Sequence, residues 1–158
     1  MTIPLNAQHK FRQGVFKPKH PEKYIGKEAP LFRSSLELKF FHFLDSNPNV
    51  VEWVSEGVII PYLNPLDNRC HKYYTDAIIA IKEGDKIKKY LIEIKPKKQT
   101  LPPEFRPKQR ESTKVYETKQ WIQNQAKWDA AKKWCIQKSG NNPKDLISFQ
   151  LLTEENLH

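Results

Sequence analysis

Cysteine is scarce: the chain has two, Cys70 and Cys135. They form no C-x-x-C pair and share no ligand spacing with a histidine, which argues against a zinc site. They also offer no disulfide framework, as expected of a reducing compartment. Long apolar runs are missing too. No stretch approaches the roughly 18 residues that a membrane-spanning helix needs, and the N-terminus carries no apolar signal segment. There is no glycine-rich phosphate loop, no G-x-S-x-G nucleophile element and no internal repeat. The histidines (His9, His20, His42, His71 and His158) are scattered, and none is assigned a role. Negative charge is in short supply: 18 acidic residues face 27 Lys and Arg in a chain of 158, for a net charge of +9. That surplus favours a polyanionic partner, nucleic acid first, and the length suits one domain with a modest core.

The chemistry that is present centres on Leu91-Ile92-Glu93-Ile94-Lys95-Pro96-Lys97-Lys98, where an acid and a base interrupt an apolar strand and proline stops it. Residues two apart on a strand share a face, so Glu93 and Lys95 project side by side. Upstream, the β-rich run from His71 to Ile81 carries one carboxylate, Asp76, at the mouth of Ile78-Ile79-Ala80-Ile81. Between the runs, Glu83-Gly84-Asp85-Lys86 fits a two-residue type II′ turn with glycine first. That register pairs Glu83 with Lys86 and, carried back, sets Asp76 directly opposite Glu93. Cross-strand Cβ atoms lie roughly 4.5–5.5 Å apart, where like charges repel. Either a cation sits between the carboxylates or one of them keeps its proton. With Lys95 on the same face, the arrangement predicts a hard-metal site with a basic edge. A solvated acid–base ladder would use the same Glu-x-Lys. A strand apolar on both faces is covered, however, and aspartate is depleted in such strands.

Residues 1–30 are predicted as a basic extended arm, because Pro4, Pro18, Pro21 and Pro30 punctuate them and no apolar period emerges. Basic side chains mixed with Phe11, Phe16 and Tyr24 suit phosphate contact or docking on a protein neighbour, and equally a solvated tail. Residues 31–158 form the folded domain. A first helix follows Ser34 or Ser35, with Leu36, Phe40, Phe43 and Leu44 in its stripe and Asn47-Pro48 at its end. Glu37, in its first turn, is either the acid of a capping box or a third acid aimed at the hairpin. Residues 50–54 and 58–62 read as a strand or strand pair, and residues 64–68 as a turn. Residues 96–113 form a loop with four prolines. Lys97, Lys98, Arg106, Lys108 and Arg110 leave on it from the acidic pair, suited to tracking phosphates. A second helix is predicted over residues 114–138, with Trp121, Gln125, Trp128, Lys132 and Cys135 on one flank and Gly140 as its stop. Its tryptophans read as core groups rather than base stackers. Residues 145–152 close the chain as a strand.

The order helix, three strands, helix, strand, carrying Glu37, Asp76 and Glu93-x-Lys95, resembles the core of the PD-(D/E)xK nuclease superfamily. Segments along the chain are similar to the head completion nucleases of T4-type tailed bacteriophages, among them Phe40-Phe41 with Phe43-Leu44-Asp45, Asn47-Pro48, Trp53 with Ser55-Glu56, and Leu152-Thr153-Glu154. The others are Phe32-Arg33-Ser34-Ser35-Leu36-Glu37, Ile60-Pro61-Tyr62, Ile92-Glu93-Ile94-Lys95-Pro96-Lys97-Lys98 with Pro102-Pro103, and Lys127-Trp128 with Ala130-Ala131. The same core resembles the endonuclease subunit of Tn7-like transposases. The likeness covers roughly residues 30–155 and leaves the arm out; Thr75 stands where the signature has proline.

The resemblance implies an α/β fold with a restriction-endonuclease-like core in αβββαβ order, a mixed central sheet flanked by helices. It implies a metal-dependent DNA endonuclease of little sequence specificity that trims packaged double-stranded DNA during phage head completion. Mg²⁺, with Mn²⁺ able to substitute, is the expected cofactor. Asp76, Glu93 and the Ile94 carbonyl would hold it, and Glu37 would act through water or on a second ion. Lys95 would orient or help deprotonate the attacking water. Arg33, Lys97, Lys98, Arg106, Lys108, Arg110 and Lys127 are expected to grip the DNA backbone without reading bases. The arm is expected to meet head or neck proteins, in the host cytoplasm or on the virion. Two alternatives share this core: a weakly active DNA-binding head or neck assembly protein, and a transposase-type end-cleaving endonuclease. The charge of +9 and the lysine on the acidic face disfavour a two-carboxylate glycosidase.

Overall fold

Serine starts the first helix, as predicted. The computed structural model describes residues 13–157. Two short strands, β1 (Gly14–Val15) and β2 (Leu31–Phe32), pair antiparallel ahead of α1 (Ser35–Ser46). Ser34 caps α1 by accepting the Glu37 N–H at 3.1 Å, and Asn47 ends it. The strands β3 (Val50–Ser55), β4 (Ile59–Asn64), β5 (Arg69–Tyr74), β6 (Ala77–Glu83) and β7 (Lys86–Ile94) follow. A long helix, α2 (Glu111–Ser139), then crosses over to β8 (Ile147–Leu152). One mixed sheet has the order β3-β6-β7-β8, antiparallel except for the parallel β7/β8 pair. Only a crossover such as α2 can join parallel neighbours. The result is the expected αβββαβ core, with the β4/β5 hairpin inserted after its first strand.

Each face of the sheet packs against one helix. Ile92 and Ile94 of β7 turn toward Trp53, Phe40 and Phe41, whereas Leu91 turns toward Trp128 and Ala131 of α2. Glu93 and Lys95 are in step with Leu91, so they project to the α2 side. The β6/β7 turn is the one predicted: Gly84 has a φ of 62°, and pairing runs from Glu83↔Lys86 to Ala77↔Ile92.

Three readings need correction. The run from His71 to Ile81 is not one strand, since the chain leaves β5 at Tyr74 and re-enters pairing at Ala77. Thr75, fully buried, makes the break by donating both its N–H (3.2 Å) and its hydroxyl (2.9 Å) to the Val58 carbonyl. The ladder therefore stops one residue short of Asp76. The buried stripe of α2 is Asn124, Trp128, Ala131, Cys135 and Ser139, so Gln125 and Lys132 lie off it. Finally, residues 13–30 do not extend away from the domain. Phe16 is buried with its ring centroid 5.7 Å from Phe41 and 6.2 Å from Trp53, and Tyr24 sits 4.7 Å from Trp53. Residues 1–12, with Lys10, Phe11 and Arg12 of the predicted arm, lie outside the described residues.

Asp45, buried at the end of α1, ties this segment down. Its two carboxylate oxygens accept the N–H groups of Lys19 (2.9 Å) and His20 (3.0 Å). The Lys23 ammonium donates to the carbonyls of Asp45 (3.1 Å) and Asn47 (2.7 Å), where the helix dipole favours a cation. No helix among the described residues is long and apolar enough to cross a membrane. Losing two bonds to a charged acceptor should make Asp45→Ala less stable by about 2–4 kcal/mol. Asp45→Asn, which keeps one acceptor oxygen, should lose about half of that, and urea unfolding midpoints measure both.

Candidate active site

The break at Thr75 frees Asp76 to turn toward the end of β7, where its Oδ2 accepts the Ile94 N–H at 2.7 Å. This replaces the predicted cross-strand pairing with Glu93 by a side-chain bond to the next residue along. Glu93 is buried, and its Oε2 accepts the hydroxyl of Tyr73 at 2.5 Å. The Lys95 ammonium stands 3.5 Å from Glu93 Oε1. The Lys95 N–H donates to the Leu152 carbonyl at 2.9 Å, so β8 fixes the end of β7 that carries the site. From α2, the Lys127 ammonium lies 5.6 Å from the Tyr73 ring centre and 5.9 Å from that of Tyr62, close enough to feel Glu93 and Asp76.

These charges are poorly matched. Burial pushes the Asp76 carboxyl well above the ordinary carboxylate range, and the charges of Glu93 and Glu37 push it further, against the Ile94 N–H and Lys95. Glu93 is also raised by burial, opposed by Lys95, Tyr73 and Lys127. Burial lowers the Lys127 ammonium, as does Lys95 beside it, while Glu93 and Asp76 pull the other way. Tyr73 is raised by burial and by Glu93, so it stays a hydroxyl donor.

Residues 47–154 match the family described as TnsA-like endonuclease, N-terminal. The chain belongs to that endonuclease family. It is also 34% identical over 152 residues to the head completion nuclease of Enterobacteria phage T4, an alignment spanning 91% of this chain and 92% of that protein. The mixed α/β architecture accords with a restriction-endonuclease-like fold of the TnsA-like domain, and membership supports a nuclease role. The TnsA-like match takes in Asp76, Glu93, Lys95 and Lys127 and begins after Arg33 and Glu37.

Within this family member, the structure brings Glu37, Asp76, Glu93, Lys95 and Lys127 into one neighbourhood. Glu37 is not the acid of a capping box on Ser34, because its carboxylate reaches one residue further back. Its Oε2 accepts the Arg33 N–H at 2.6 Å, one residue before the cap, and its charge reaches Asp76. Among the described residues no three Asp, Glu, His or Cys side chains gather closely enough to ligate one ion. The Arg33 guanidinium pairs with Glu56, and the Lys97 ammonium with Glu155 at 2.8 Å, so both expected DNA contacts already have acidic partners. Lys98, Arg106, Lys108 and Arg110 are carried on the loop as expected, and Lys98 and Arg106 are exposed on it. Tyr73 was missed by sequence reasoning. On an unbroken strand it would face away from Asp76, and only the break places both beside Glu93.

A raised carboxylate pair favours the protonated fold. Its contribution to stability is present below about pH 4, the unfolded carboxylate range, and is lost as pH rises through the pair's raised titration. Removing one charge should therefore stabilise the metal-free protein at neutral pH. Asp76→Asn, which still accepts from Ile94, should melt several degrees above wild type at about pH 7.5, with the gap closing toward about pH 4. Melting curves in chelator across that range provide the check.

Proposed function

We propose that the chain is a metal-dependent DNA endonuclease that hydrolyses phosphodiester bonds with little sequence preference, acting on packaged DNA during phage head completion. One observation carries this reading: two carboxylates, the half-buried Asp76 and the buried Glu93, are held together beside the Lys95 ammonium, with the charge of Glu37 also reaching Asp76. The donor set fits a hard divalent cation such as Mg²⁺ or Mn²⁺. Ile94 and Tyr73 engage one oxygen of each carboxylate, which leaves Asp76 Oδ1 and, facing the Lys95 ammonium, Glu93 Oε1, and the Ile94 carbonyl is a third hard donor. Such an ion, when bound, neutralises phosphate charge and makes its water more acidic. Asp76 and Glu93 hold the ion, and Glu37 acts on it through water. Lys95 orients the attacking water, accepts or steers its proton, and offsets charge on the phosphate. Lys127 approaches from α2 and presents a second ammonium to the same phosphate. Lys98, Arg106, Lys108 and Arg110 grip the backbone, with Arg33 and Lys97 at the rim. Head or neck proteins as partners of residues 1–30, and a place in the host cytoplasm or virion, belong to the same reading.

A transposase-type end-cleaving role is the second reading, favoured by the TnsA-like match. The phage relative aligns over nearly the whole of both chains, which favours head completion.

Plasmid nicking with Mg²⁺ or Mn²⁺ tests the proposal. Asp76→Asn should abolish cleavage and also remove the rise in melting temperature that metal gives the wild type. An Asp76→Asn protein that nicks at the wild-type rate would overturn the assignment. The dual position of Glu37 gives a second test. Glu37→Gln still accepts the Arg33 N–H, so its stability should stay within about 1 kcal/mol of wild type while nicking falls by orders of magnitude. Glu37→Ala should lose both. Replacing Lys108 and Arg110 with alanine should weaken binding to all sequences alike and flatten the salt dependence by about one unit of slope for each phosphate that is no longer neutralised.

A further inference from the structure

The loop after β7 and the first turns of α2 enclose a cleft of about 700 Å³, of which the reading above uses only Lys98 and Arg106. That size is within the roughly 300–1,000 Å³ typical of small-ligand pockets. Its two walls start at the acidic pair: Lys98 lies three residues beyond Lys95, and Asn124 lies one helical turn before Lys127. Phe105, Tyr116 and Trp121 line it with Lys98, Arg106 and Asn124. Phe105 is 51% exposed and Tyr116 65% exposed, so both rings present faces to solvent. The Lys114 ammonium sits 5.8 Å from the Phe105 ring centre and holds it at the rim. Pro102 and Pro103 stiffen the loop wall, and the Gln109 amide pins its far end by donating to Glu117 at 3.1 Å. Glu104 and Glu117 are the acids of the cleft, and Glu117 is already engaged. Asn124 is the second observation. It is 5% exposed, lines the cleft, and its amide hydrogen-bonds to no other described residue.

From this geometry we infer that the cleft receives an unpaired nucleotide of the DNA adjoining the scissile phosphate. The base stacks on the exposed aromatic rings, the Asn124 amide meets its edge, and Lys98 and Arg106 take the flanking phosphates. The substrate class is thus DNA with unpaired nucleotides next to a duplex, such as a tailed or frayed end. This rests on the DNA reading proposed above and narrows it. An aromatic cleft rimmed by lysine and arginine complements a base with its phosphate better than it does an apolar peptide.

The test is equilibrium binding in chelator, without cleavage, to a blunt duplex and to the same duplex with a short single-stranded tail. Wild type should prefer the tailed duplex by about tenfold, the scale of one base–aromatic stack. Replacing Phe105 and Tyr116 together with alanine should bring that ratio close to one and leave blunt-duplex affinity unchanged. Both side chains are exposed, so the fold should survive, which the melting curve verifies. A 2-aminopurine in the tail should lose emission on binding wild type and keep it with the variant. Equal affinity of wild type for the two duplexes, or a variant that keeps the full preference, overturns the proposal. A cleft that serves a protein segment gives that second result. Nicking of closed plasmid by wild type is scored separately. Cutting without tail preference leaves the nuclease reading and removes the cleft's role, and tail preference without cutting does the reverse.

Discussion

Everything in the site depends on the two bonds that Thr75 makes to one carbonyl. By giving both its N–H and its hydroxyl to Val58, it ends one hairpin and starts the next sheet within two residues. A proline here would also stop a ladder, because it has no N–H. Threonine reaches the same interruption by sending its donors sideways. The turn is held from the other side as well, since the Asp76 carbonyl accepts the Glu56 N–H at 3.2 Å. With the backbone so held, Asp76 meets the end of β7 although its charge opposes that of Glu93.

Repulsion between these carboxylates is sustained by the packing around them. Trp53, Phe40, Phe41 and Leu44 on one face, and Leu91, Trp128 and Ala131 on the other, bury enough apolar surface to hold β6 and β7 in register. Tyr73 and Lys127 supply partial relief, one by a short hydrogen bond and the other by charge. Strain of this kind is normal where a scaffold keeps reactive groups ready rather than comfortable.

Much of this was legible from local rules. Glycine at residue 84 specified the turn, and counting back from it gave the true register of β6 and β7. Ser34, Glu37 and Asn47 marked the ends and first turn of α1. Three features escaped because they arise between elements. The break at Thr75 lies within a continuous β-rich composition, so nothing in the period announced that Tyr73 and Asp76 would face one site. Residues 13–30 looked like a tail because their apolar residues have no spacing, yet Phe16 and Tyr24 pack against Trp53. On α2 the apolar spacing points to a flank through Trp121 and Gln125, and the buried line runs through Asn124 instead. A long helix with few apolar residues gives its orientation only a weak handle.

The parallel pairing of β7 with β8 has a consequence for synthesis. The strand that bears Glu93 has β6 on one edge as soon as the hairpin forms, because the two are adjacent in sequence. Its other edge waits for α2 to be made and for Leu152 to emerge, since the Leu152 carbonyl receives the Lys95 N–H. A growing chain therefore carries the acids long before it can hold the lysine beside them.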